Sequence, residues 1–120
     1  MAGPESLNKS KLPIIPLRFK SENQLYKSFM PWLKNGGLFI PTSKRFEMGQ
    51  EVLMMVVLPE MREKIPAAGV VSWVCPKDVT GHNKPGVGVE FTDQDGAALR
   101  SRIEGMLSTQ LKEGAPTYTL

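Results

Sequence analysis

The sequence predicts a mostly β fold: a small antiparallel six-stranded barrel with a short N-terminal helix and a C-terminal amphipathic helix. Three observations carry that expectation. The run Val52-Leu53-Met54-Met55-Val56-Val57-Leu58 is apolar at every position, as in a strand covered on both faces. Ala67 to Cys75 and Gly86 to Phe91 concentrate β-branched and aromatic residues between prolines and glycines, the pattern of further strands. Downstream, Leu99, Ile103, Met106, Leu107 and Leu111 recur at helical spacing, which marks one apolar helix face.

Residues 1–13 are small, polar and charged and offer little apolar surface to offset ordering entropy, so they read as a tail. Leu17 and Phe19 then alternate with Arg18 and Lys20 as in a half-buried strand, and nearby prolines place that strand at an edge. Ser21 followed by Gln24 is a capping-box pattern that opens a helix over residues 22–30, stopped by Pro31. Asn35-Gly36-Gly37 supplies positions able to adopt positive φ, and Leu38-Phe39-Ile40 runs as a strand to Pro41. Polar residues 46–50 connect to the central strand, Glu51 to Leu58. A charged loop, Pro59 to Pro66, leads to the strand ending before Pro76, and a polar connection leads to Gly86. Thr92 or Asp93 caps the last helix and Gly114 stops it. The domain therefore spans 14–111, and 112–120 form a second tail.

A chain of 120 residues with 41% apolar content buries one core and is short for two. Its longest apolar run falls well below the roughly 20 residues that cross a bilayer, and the N-terminus lacks a signal-peptide apolar stretch. One cysteine, Cys75, excludes an internal disulfide and fits a reducing compartment. The cytoplasm is the expected location, without membrane insertion. Residues 1–50 hold eight Lys/Arg against three Asp/Glu, but the bases are scattered, and a nucleic-acid groove needs them clustered.

Catalytic and metal chemistry find little support in the residues. His82 is the lone histidine and sits in a polar loop; Cys75 lies in an apolar strand, which suits an inert, buried thiol. No cysteine pair or calcium-loop spacing occurs. Gly86-Val87-Gly88 lacks the third glycine and following helix of a dinucleotide fingerprint, and Asn35-Gly36-Gly37 lacks the Gly-Lys-Ser/Thr ending of a P-loop. A binding module without catalytic residues, metal or cofactor is the expectation.

The order and spacing of Gly36-Gly37-Leu38-Phe39-Ile40, Gly49, the strand from Val52, Gly69-Val70-Val71-Ser72-Trp73-Val74 and Gly86-Val87-Gly88-Val89-Glu90-Phe91 resemble a PilZ domain over about residues 14–111. That resemblance implies a small antiparallel barrel followed by a helix. Many such domains bind cyclic di-GMP through an Arg-x-x-x-Arg arm and an Asp/Asn-x-Ser-x-x-Gly motif. Here Gly37 matches the closing glycine, while Trp32 and Lys34 stand where Asp/Asn and Ser belong. Arg18 is the only arginine before Arg45, and neither position four residues away is arginine. A guanidinium pair grips phosphates in a geometry that isolated lysines do not reproduce, so no tight binding of the dinucleotide is expected.

The stretch from Tyr26 to Thr42 and the ending Ala115 to Leu120 are similar to the family branch that serves type IV pilus biogenesis. This similarity implies an adaptor contacting the pilus extension ATPase and a degenerate GGDEF-EAL regulator that carries the nucleotide site. Aromatic residues anchor many interfaces, which makes Tyr26, Trp32, Trp73 and the tail residues Pro116, Tyr118 and Leu120 the candidate contacts. Phe29 shares a helical face with Leu25 and reads as core. Trp73 shares strand parity with Val71 and Cys75, which directs it inward. Two alternatives are a cyclic di-GMP receptor with a degenerate site and a nucleic-acid-binding barrel. The second lacks aromatics interleaved with bases, since Phe39 has no basic neighbour in its strand.

Overall fold

Alternation around Leu17 produces the edge strand β1 (Ile14–Arg18), as the sequence predicts. The computed structural model describes residues 12–75, 85–114 and 117. Strands β2 (Gly37–Pro41), β3 (Glu51–Val57), β4 (Ile65–Cys75) and β5 (Gly86–Phe91) join β1 in one sheet of order β1-β3-β4-β5-β2.

The expected six-stranded, wholly antiparallel barrel is corrected on two points. Among the described residues the sheet has five strands, with β1 and β2 at its opposite ends. β3, β4, β5 and β2 pair antiparallel, but β1 runs parallel to β3, from Ile14 beside Leu53 to Arg18 beside Val57. A parallel pair cannot be closed by a hairpin and needs a long crossover; the residues between β1 and β3, including β2, supply it. The polar segment before β3 adds no strand. It meets β4 through Gly49 N–H donating to the Val71 carbonyl and Val71 N–H donating to that of Gln50.

Helix α1 (Glu22–Ser28) opens as expected, with Gln24 N–H donating to Ser21 Oγ at 3.1 Å. Gln24 Oε1 also accepts from Lys20 N–H at 2.7 Å. The helix is two residues shorter than predicted because Phe29 is already extended and bridges Leu38. Pro31 restricts Met30 in turn, since the residue before proline avoids the helical region. At the other end, one expected helix is two: α2 (Gln94–Met106) and α3 (Ser108–Glu113), separated at Leu107. Gly105 and Ser108 flank the break and are weak helix formers. Asp93 is the N-cap of α2. It accepts Gly96 N–H at 2.8 Å through Oδ1 and Ala68 N–H at 3.3 Å through Oδ2, fixing the helix to β4.

Cross-strand partners share a face of a sheet, so the register sorts the residues. Val52, Met54 and Val56 of β3, Ala67 and Val71 of β4, and Val87, Val89 and Phe91 of β5 point inward. Leu25, Tyr26 and Phe29 from the first helical segment and Leu99, Ile103 and Leu107 from the last complete this core. The outer face carries Gly88, flanked by Phe39 and Trp73.

Candidate partner-binding site

The site starts from an irregularity in β4. Val71 pairs with Val89, yet Trp73 pairs with Gly88, so two residues of β4 advance against one of β5. This bulge breaks period-two parity. The sequence expectation that Trp73 shares the inward face of Val71 is therefore corrected: its indole lies on the outer face, half-buried. Gly88 makes room for it. A Cβ at position 88 would stand 2.7 Å from Met30 Cε and Sδ and 2.8 Å from Trp73 Cβ.

Trp32, 41% exposed, meets Trp73 edge to face, with ring centroids 5.2 Å apart and planes at 72°. Such a pair contributes roughly 0.5–1.5 kcal/mol beyond area burial. The Trp73 indole Nε1 is buried without a hydrogen-bond partner among the described residues. The two indoles thus form an aromatic platform near the glycine turn, with fully buried Met30 and Trp73 both against Gly88.

That turn is held from two directions. Gly36 has φ 75°, a conformation that favours glycine. Gly37 lies within β2, so of the two glycines only the first uses positive φ; a Cβ on Gly37 would press into the Val89 carbonyl oxygen and come within 2.8 Å of Leu33 Cδ1. The Glu90 carboxylate accepts Asn35 N–H at 3.2 Å and Asn35 Nδ2 at 3.1 Å through one oxygen, and the Ser72 hydroxyl at 3.4 Å through the other. Arg100 donates to the Lys34 carbonyl at 3.1 Å while its Nε pairs with Glu104 at 3.2 Å. Sequence reasoning missed Glu90 and Arg100. Glu90 carried a visible signal, a carboxylate among the apolar residues and glycines of β5; Arg100 looked like an ordinary solvent-facing helix residue.

The other predicted contacts are dispersed. Tyr26 is 5% exposed and belongs to the core, so little of it is available to a partner in this conformation. Lys34 is exposed on the turn. Pro116, Tyr118 and Leu120 lie outside the described residues, as does His82. Arg18 sits on β1, at the opposite end of the sheet order from the turn. Cys75 is half-buried rather than buried and lines a cavity with Lys44, Arg45 and Phe46. Among the described residues no group of three or more His, Cys, Asp or Glu could hold a metal ion, and no helix is long and apolar enough to cross a membrane.

A curled β sheet with helices, and a braced turn near an aromatic pair of which Trp32 is exposed, is the frame of a small binding domain. The PilZ domain model matches residues 13–108, and the chain belongs to that family. Its domains are generally non-catalytic binding or adaptor domains in cyclic di-GMP signalling. A comparison with curated proteins finds no match.

Proposed function

We propose that this chain is a non-catalytic adaptor for type IV pilus assembly, working in the cytoplasm. It relays regulation by contact with the pilus extension ATPase and with a degenerate GGDEF-EAL regulator, without binding cyclic di-GMP itself. The observation that supports this reading best is what occupies the nucleotide-motif positions. Trp32, in place of Asp/Asn, packs on Trp73 and presents an aromatic surface. Lys34, in place of Ser, has its carbonyl held by Arg100, and the Asn35 donors are taken by Glu90. The turn keeps its backbone shape while its polar groups serve the fold. An indole pair instead offers large, pre-ordered contact area at low entropic cost, which favours protein recognition.

The test is a pull-down of extension ATPase by the purified chain, with and without cyclic di-GMP, together with calorimetry of the chain and the dinucleotide alone. Retention of the ATPase in both conditions, weakened by Trp32→Ala, and no saturable heat in the micromolar range are expected. Micromolar saturable binding of the dinucleotide would establish a receptor with a degenerate site instead. Failure to retain the ATPase would remove the adaptor assignment.

A further inference from the structure

The parallel pairing of β1 with β3 has a local chemical result. Both strands end at the same edge, so Phe19 and Lys20, which follow β1, lie beside Leu58 to Arg62, which follow β3. Phe19 N–H donates to the Val57 carbonyl at 2.9 Å and fixes that alignment. Between them opens a cavity of about 390 Å³ lined by Arg18, Lys20, Glu60 and Arg62 over Phe19 and Leu58, with Met61 at its side.

Three cations face one carboxylate there, leaving two positive charges in excess. The side chains of Arg18, Lys20 and Arg62 form no ion pair with the described residues, and all three are exposed. Glu63, the neighbouring acid, is already paired with Arg102 at 3.7 Å, and Arg102 Nη2 also approaches Met61 Sδ at 3.5 Å. Glu63 is thus engaged with helix α2, and it does not line the cavity. The loop itself turns sharply: Met61 N–H donates to the Leu58 carbonyl at 3.1 Å, and Glu60 between them has φ 63°. With Pro59 second and a left-handed residue third, the sequence pattern is that of a type II turn, where glycine is usual. A non-glycine residue held at positive φ beside a cavity carries a backbone cost that motivates a functional hypothesis.

We infer that this cavity is a binding site for a phosphate group, held by the guanidinium forks of Arg18 and Arg62 with Lys20 as a third donor. Planar guanidiniums match phosphate oxygens in paired hydrogen bonds. The floor of the cavity is apolar, formed by Phe19 and Leu58, both buried. Glu60, the one carboxylate lining the cavity, opposes an anionic ligand. This site is separate from the aromatic platform and does not depend on the adaptor reading.

The experiment titrates the isotopically labelled full chain with sodium phosphate at constant ionic strength and follows backbone amides. Saturating shifts confined to Phe19, Lys20, Met61 and Arg62 are expected, on the order of millimolar in affinity. Arg62→Glu should weaken binding about tenfold or more, while Lys44→Glu, in a different cavity, leaves it unchanged. Glu60→Gln should tighten it, a gain that misfolding cannot mimic. A second arm measures retention on phosphatidylcholine vesicles with and without phosphatidic acid. Arg62-dependent retention there identifies a lipid headgroup as the source, and saturation by free phosphate alone identifies a soluble one. Shifts that rise linearly and ignore Arg62→Glu, with no headgroup-dependent retention, overturn the proposal, as does weaker binding by Glu60→Gln.

Discussion

Gly37 shows how a motif residue can outlast its motif. In nucleotide-binding relatives it closes Asp/Asn-x-Ser-x-x-Gly, but here its necessity is steric, because β2 passes so close to β5 that any Cβ meets the Val89 carbonyl oxygen and Leu33. Gly37→Ala is expected to destabilise the fold by about 1–3 kcal/mol through overpacking, measured by urea denaturation with an unchanged slope. Lys34→Ser, which restores a motif residue on the exposed turn, should change stability by less than about 0.5 kcal/mol and should not create dinucleotide affinity. A destabilised Lys34→Ser or an untouched Gly37→Ala would contradict this division between scaffold and ligand chemistry. The glycines were legible in the sequence as turn formers. Which of them needs positive φ and which needs close approach was not, because that depends on a strand more than fifty positions away.

Elements whose signals are local came through the sequence well. β5 has the predicted bounds, Ser21 and Gln24 cap α1, and Asp93 caps α2. What escaped depends on pairing between distant segments. Nothing in Ile14–Arg18 alone states that it pairs parallel with β3, and the bulge that turns Trp73 outward is visible only against the register of β5. The candidate site inherits that difficulty: Trp32 and Trp73 were legible as aromatics, but their pairing was not. Asp93 ties the two kinds of information together, since one oxygen caps its own helix and the other holds Ala68 of β4. Asp93→Ala is therefore expected to cost about 2 kcal/mol, the upper end for a lost cap, because a strand amide also loses its acceptor. Asp93→Asn, which keeps an acceptor oxygen for the cap, should recover about half. Thermal denaturation of the two variants measures the difference, and equal losses would mean that capping geometry is not the cause.

At the scale of the whole molecule, the sheet keeps its two basic and aromatic features apart. The indole pair lies over β4 and β5, whereas Arg18 lies on the far edge strand. A dinucleotide clamp needs a guanidinium pair and the glycine turn on one ligand, and Arg18 lies at the other end of the strand order from β2, which follows the turn. On the adaptor reading proposed above, the segment after Gly114 is the candidate for a second partner contact. Helix α3 ends where Gly114 N–H donates to the Gln110 carbonyl at 3.0 Å, and no residue of α3 is fully buried. Deleting residues 115–120 should leave the melting temperature within about 2 °C of the full chain, since stability tracks buried contacts. The same deletion should weaken binding to the extension ATPase about tenfold, the effect of losing one aromatic anchor. Tyr118→Ala alone is expected to account for most of that loss. Unchanged affinity after deletion would confine the interface to the Trp32–Trp73 platform; a fall in melting temperature of many degrees would instead make the segment part of the fold.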